Sequence, residues 1–316
     1  MTSKGAAPLS KRSGSFKRDY LARWQLYAFL LLPIIYILIF SYYPMAGIQI
    51  AFKKYDLLKG IWGSPWIGFG NFTKFFSAYN FTTILYNTLF LAVYSLVASF
   101  PLPILFALLL NAFPRQRYKK VVQSVSYMPY FISTVVMVGM LVQLFNPRAG
   151  AFGVIYQMLT GNMMPDLLAK AGNFPPMYVW SGVWQNLGWN SIIYVAALSS
   201  VDAELHEAAQ IDGASRFQRV LYIDYPSILP TAIIMLILAA GQVMNIGFEK
   251  VYLMQNKLNL QTSEVISTYV YRVGMVLGTG DFSFATAIGL FNSLINFTLL
   301  LIVNWIAGKV SQTSLW

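Results

Sequence analysis

The sequence predicts an all-α membrane protein of six transmembrane helices, and three observations carry that expectation. Of its 316 residues, 57% are hydrophobic and only 10% charged, whereas roughly a quarter of a soluble domain is charged. The apolar residues gather into blocks long enough to cross a bilayer, for which about 20 residues suffice. Basic and polar residues collect between the blocks, as they do at helix ends on a membrane surface.

The blocks run from Leu26 to Pro44, Ile84 to Ala112, Val121 to Phe145, Tyr178 to Ser200, Ile228 to Phe248 and Ser283 to Ala307. A basic segment, residues 1–23, precedes the first block with Lys4, Lys11, Arg12, Lys17 and Arg18. That block is too long for a signal-peptide core and no small-residue cleavage site follows it, so it is expected to stay as the first helix of a six-helix transmembrane domain, residues 24–316. The net charge of +11 flanks the blocks rather than forming a folded basic domain, so lipid and not nucleic acid is the expected partner. Basic residues in the short segments before Leu26 and between Ala112 and Val121 (Arg115, Arg117, Lys119, Lys120) place both termini in the cytoplasm, although Lys53, Lys54, Lys59 and Lys74 dilute the bias. Pro33, Pro101 and Pro103 predict kinks, which serve either a cavity or helix packing.

Absences narrow the chemistry. With no cysteine, thiolate metal sites are excluded, and the single histidine, His206, has no second histidine with which to share a metal. No catalytic residue and no metal site is therefore predicted. No Gly-rich loop ending in Lys-Ser or Lys-Thr is present to cradle nucleotide phosphates, so no cofactor is expected on this chain. The six blocks contain no Asp, Glu, Lys, Arg or His. A gradient-driven transporter would need such carriers, and a membrane-embedded enzyme would need positioned acids and bases. Both stand as alternatives to a transport subunit energised by another chain.

The most informative stretch lies between the fourth and fifth blocks, from Val201 to Thr231. Glu204, Leu205, Ala208, Ala209 and Ile211 suit a short helix, Gly213 interrupts it at low steric cost, and Phe217, Val220 and Leu221 give a second short helix an apolar stripe. This segment resembles the EAA loop of permeases of ATP-binding-cassette importers, with Glu207, Ala208 and Ala209, then Asp212 and Gly213, then Ile223 and Pro226; Tyr225 stands where the family motif usually carries Leu. The resemblance implies that a loop of about 201–227 is a coupling helix that docks into a groove on an ATPase.

Trp24 to Tyr27, Tyr43 to Met45, Ile48 to Lys53, Gly60 to Trp66 and Gly68 to Phe72 are similar to the LplB-like branch of sugar permeases. So are Phe248 to Met254, Thr262 to Val273, Phe284 to Asn292 and the terminal Thr313 to Trp316. The resemblance implies the MetI-like fold, with the first helix wrapping around a partner, in the bacterial cytoplasmic (inner) membrane. It further implies a second homologous permease subunit, two ATPase copies carrying ATP and Mg, and an extracytoplasmic binding protein that delivers an oligosaccharide or a polysaccharide fragment, uronate-containing ones included. The outer connections near Gly60 to Asn71 and Asn146 to Pro176 are candidate contacts for that binding protein.

A sugar path is expected along the fourth, fifth and sixth helices at Trp184, Gln185, Asn186, Trp189, Asn190, Gln242, Asn245, Asn292 and Asn296. Amides match sugar hydroxyls and aromatic faces match the C–H faces of the rings. Asn186 with Asn190, Asn292 with Asn296, and Gln242 with Asn245 each fall on one face of a helix. The same amides could instead bridge helices. Sequence leaves both open.

Overall fold

A computed structural model describes residues 24–276 and 280–311. The basic segment 1–23 and the Thr313 to Trp316 motif lie outside the described residues. Among the described residues the chain is helical, and the one pairing of extended backbone is an isolated bridge between Lys53 and Trp66.

The first block forms α1, Trp24–Phe52. It has no buried residue from Trp24 through Met45, so Phe29 and Leu32 present apolar surface that nothing among the described residues covers. Its helix widens into a π turn at Leu38–Tyr42, where the Tyr43 N–H reaches back to the Leu38 carbonyl. Pro44 follows; having no N–H and a ring that crowds the carbonyl four residues back, proline favours such a wider turn before it. The second block is α2, Phe81–Ala112, interrupted for one residue at Phe100, beside Pro101.

The third block is not one straight crossing. It is broken into α3, Gln116–Phe131, and α4, Thr134–Leu144, which are bent by 98°. Pro129 removes a backbone donor near the end of α3, and the Ser133 hydroxyl accepts from the Val136 N–H to start α4 afresh. An apolar run shows neither of these signals by hydropathy alone. After α5, Ala151–Thr160, the chain enters α6, Phe174–Ser199, a helix of 26 residues. Gln185, Asn186 and Asn190 make it less apolar than α1, α2 and the two later spans.

Then come α7, Ala203–Ile211, and α8, Arg216–Ala240. The fifth span thus begins at Arg216 rather than Ile228 and ends at Ala240 rather than Phe248. The expected second short helix of the loop is the first turn of α8, continuous with the membrane span through a π turn at Val220–Asp224. Pro226 follows this π turn as Pro44 follows the first. Beyond α8 lie α9, Phe248–Met254, short helices at Leu260–Ser263 and Ile266–Tyr271, and then α10, Phe282–Ser311.

The connections sort onto two ends. At one end, Tyr55 N–H bonds Ser283, Lys74 pairs with Asp281 at 2.6 Å, and Asn256 and Asn259 both donate to the Leu168 carbonyl. Asn87 of α2 donates to the Gln261 and Glu264 carbonyls there. The segments after α1, after α5 and after α9 are therefore one interlocked layer. At the other end, Asn111 at the close of α2 meets α7 and the start of α8. Alternation of connections between two ends is what a chain crossing repeatedly in antiparallel fashion requires. Packing clusters follow the same division: Leu91, Met137, Val183 and Val251 in one, Ile104, Leu108, Tyr194, Leu198 and Ile228 in another.

Candidate functional site: a coupling loop and an amide-lined break

The α7 helix starts on Asp202, whose carboxylate accepts from the Glu204 N–H, and it ends in a turn at Gly213. Gly213 has φ +79, a left-handed conformation that glycine adopts freely and β-branched residues resist. Ser215 then opens α8 with a capping box, its hydroxyl accepting from the Gln218 N–H while its own N–H donates to the Gln218 side chain. The expected helix, turn and helix are thus present. Glu207, Ala209, Asp212 and Gly213 lie on or beside an exposed ridge, and Ile211 is 87% exposed with Phe217 75% and Tyr222 72%. Ile211 is thus an exposed apolar side chain on the loop itself, while Phe217 and Tyr222 belong to the first turns of α8.

At its base the loop is pinned by residues that the motif did not single out. Asp224, 2% exposed, accepts from Asn111 Nδ2 at 3.2 Å and lies 3.2 Å from His206 Nε2. One carboxylate of α8 thereby ties α7 to the end of α2. The three border a polar cavity of about 250 Å³ with Gln210, Arg216 and Arg219. Ile223 precedes this carboxylate within the π turn, and Pro226 stands two residues after it on the helix that follows.

The nine candidate path residues divide into three groups. Gln185 donates through Nε2 to the Ile132 carbonyl at 2.8 Å, which is the acceptor freed where α3 breaks from α4. Beside it Trp189 stacks on Tyr130 with centroids 4.2 Å apart. The close approach of α6 to α3 depends on Gly188, where a Cβ would overlap the Ser126 carbonyl. Gln185 and Trp189 therefore brace a broken segment, as irregular backbone in a membrane requires.

The second group surrounds the other break, after α8. Gln242 and Asn245 lie in the turn beyond Ala240, not on a helix, so the shared helical face expected for them is absent. They meet nevertheless: Asn245 Nδ2 donates to Gln242 Oε1 at 2.6 Å. Asn245 Oδ1 accepts from Asn296 at 3.0 Å and from Asn292 at 3.3 Å, and Asn296 Oδ1 accepts from the Met244 N–H at 2.9 Å. Asn292 and Asn296 are on α10 as expected. The Asn292 Oδ1 atom is buried with no hydrogen-bond partner among the described residues, while Gln242 and Asn245 are exposed. Asn186 donates to the Gly182 carbonyl of its own helix, and Asn190 is exposed.

Trp184 stands apart from both groups. It borders an apolar groove of about 470 Å³ with Met137, Met140, Phe145, Phe152, Met177 and Trp180. That setting suits lipid or an apolar helix rather than sugar hydroxyls.

Removing a staple should show in stability. Gln185→Leu leaves the Ile132 carbonyl without its partner, at a cost of about 1–3 kcal/mol. The expected result is a lower melting temperature in detergent, with Gln185→Glu less damaging than Leu only at a pH where the carboxyl is protonated and can donate. An unchanged melting temperature for Gln185→Leu would contradict the bracing role.

The fold defines a class: a helical protein built of membrane-crossing spans, of the kind that serves as a permease. Residues 99–312 match the family described as binding-protein-dependent transport system inner membrane component, and the chain belongs to that family. It is a transport component rather than an enzyme. Among its relatives in Bacillus subtilis, Protein LplB is 41% identical over 302 residues, covering 96% of this chain and 93% of that protein. A polygalacturonan/rhamnogalacturonan transport system permease protein, YteP, is 38% identical, covering 92% of this chain and 90% of the relative. A crystal structure of a bacterial ABC transporter involved in import of the acidic polysaccharide alginate contains a chain that superposes with TM-score 0.85 at 36% identity, covering 93% of this chain and 98% of that one. A second, of an alginate transporter in complex with an alginate pentasaccharide-bound periplasmic protein, gives TM-score 0.86 at 35% identity, covering 95% and 99%.

Proposed function

We propose that this chain is one of two permease subunits of a bacterial inner-membrane importer that takes up acidic oligosaccharides at the expense of ATP hydrolysed by partner ATPases. The observation that carries the proposal is the exposed helix, left-handed glycine and capped helix of residues 203–219, with Ile211 and Phe217 facing outward at one end of the bundle. Here α7 docks into an ATPase groove, with Glu207, Ala208, Ala209, Asp212 and Gly213 forming the contact and its turn. Asp224, supported by Ile223 and Pro226, transmits movement of α7 to α2 and α8.

The uncovered face of α1 packs on a second, homologous permease. The interlocked layer of residues after α1, α5 and α9 faces outward and receives the sugar-loaded binding protein. The exposed amides Asn190, Gln242 and Asn245, with Asn186 and the free Asn292 oxygen, line the sugar path. Gln185, Trp189 and Asn296 hold its walls, and Trp184 belongs to the apolar exterior. Acidic sugar is favoured because the alginate and polygalacturonan systems among the relatives handle acidic polymers.

Topology gives a direct check, helped by the absence of native cysteine. Both termini are assigned to the cytoplasm. Asn162→Cys, in an exposed outer connection, should react with an impermeant thiol reagent in intact cells, and Gln116→Cys only after lysis. Labelling of Gln116→Cys in intact cells at the rate of Asn162→Cys would contradict the assignment.

A further inference from the structure

We infer that Lys250 is a specificity-determining residue that meets a carboxylate of the passing sugar chain, an inference that rests on the acidic-oligosaccharide function proposed above. Lys250 lies on α9 and turns its ammonium group onto α6. There Nζ donates to the Tyr178 carbonyl at 2.7 Å and stands 4.7 Å from the centre of the Tyr178 ring. Gly182 makes the space, because a Cβ at that position would lie 3.1 Å from the ammonium.

The position matters as much as the contacts. Tyr178, Gly182, Asn186 and Asn190 recur at steps of four along α6, so they form a single stripe, and Lys250 sits across its first two members. A Cβ at Gly247 would lie 3.4 Å from the Tyr178 hydroxyl, which brings the segment carrying Gln242 and Asn245 alongside the same stripe. The cation is thus at one end of the amide group assigned to the sugar path.

Its electrostatics are unbalanced. No carboxylate oxygen lies within ion-pairing distance of Lys250 among the described residues, whereas Lys74 and Arg272 are paired with Asp281 and Glu264. Lys53 is also unpaired, but it is only 2% exposed, its ammonium bonded to the Ile61 carbonyl and 4.8 Å from the Trp66 ring centre, closed to any ligand. Lys250 is only half-buried. Burial lowers its pKa to about 8, which still leaves the charged form in excess at neutral pH by roughly ten to one. A partly desolvated charge without a counter-ion is costly on its own and is relieved by an arriving anion. Tyr178 adds an aromatic platform beside it, so a sugar ring bearing a carboxylate finds both of its recognition groups.

The test uses the purified complex of both permeases and the ATPases in proteoliposomes, with saturating binding protein and a pentasaccharide of uronates as probe. A second probe is the same pentasaccharide with its carboxyl groups reduced to alcohols. Lys250→Met keeps the length and apolar stem, and Lys250→Arg keeps the charge. Expected are a loss of at least tenfold in uronate uptake for Lys250→Met, no more than a threefold loss for Lys250→Arg, and equal uptake of the reduced probe by wild type and Lys250→Met. Uronate uptake by Lys250→Met at the wild-type rate would overturn the inference alone, as would an equal loss for both probes with reduced complex yield, which marks a packing role. A wild-type complex that moves no uronate probe overturns the acidic-substrate function and the inference together.

Discussion

Gly213→Val is expected to lower sugar uptake at least tenfold while the complex continues to hydrolyse ATP. Nothing lies within 4 Å of where a Cβ would stand at this position, so the substitution creates no clash. Its effect comes from φ +79 alone, which a β-branched residue occupies at a cost of roughly 1–2 kcal/mol. The turn relieves that strain by rotating, and α7 then leaves the register that its docking requires. Asparagine tolerates the left-handed region, so Gly213→Asn should keep uptake within about threefold of wild type. Affinity of the binding protein for its sugar should not change, since that affinity belongs to another chain. Equal uptake by the Val and wild-type complexes would remove the turn from the coupling pathway.

The second large effect concerns Asp224. Replacing it with Ala strips the half-buried His206 and Asn111 of their shared acceptor, at a cost below the roughly 1–3 kcal/mol of a fully buried group left unsatisfied. The tie that His206 of α7 makes to α8 is then lost. ATP hydrolysis stimulated by the binding protein should persist while uptake falls by about tenfold or more. Asp224→Asn retains one side-chain oxygen that both donors can reach, so it should lose much less. The measurement is the ratio of sugar moved to ATP hydrolysed, and identical ratios for wild type, Ala and Asn would contradict a transmitting role. Double substitution with His206→Ala should add little to Asp224→Ala, because both remove the same contact.

How far the sequence showed this depends on the range of the interactions. Apolar blocks and the Glu207 to Gly213 motif are local patterns: the first, second and sixth blocks and the turn at Gly213 fell where those patterns placed them, while the third block broke in two and the fifth shifted to Arg216–Ala240. The capping box at Ser215 and Gln218 was equally local and could have been read from its spacing. Breaks inside the blocks were not legible, because hydropathy averages over the positions of backbone donors. Pro129 and Ser133 carried the signal for the α3 to α4 break, yet both sat in an otherwise apolar run. The amides were identified as candidates, but their separation into braces and exposed groups depends on distant partners. Gln185 finds a carbonyl 53 positions away, and Asn296 an N–H 52 positions away. Asp224 and Lys250 escaped notice for the same reason: each lay just outside a block boundary, and their significance comes from His206, Asn111, Tyr178 and Gly182 on other helices.

The central claim, that this chain is a passive conduit worked by ATPases through α7, is tested most directly by uptake in proteoliposomes holding the four-component complex. Radiolabelled uronate pentasaccharide delivered by the binding protein should accumulate only with ATP inside reach of the ATPases, should be recovered chemically unchanged, and should be indifferent to an imposed proton or sodium gradient. Accumulation driven by such a gradient without ATP, or recovery of a cleaved or otherwise altered sugar, would contradict it.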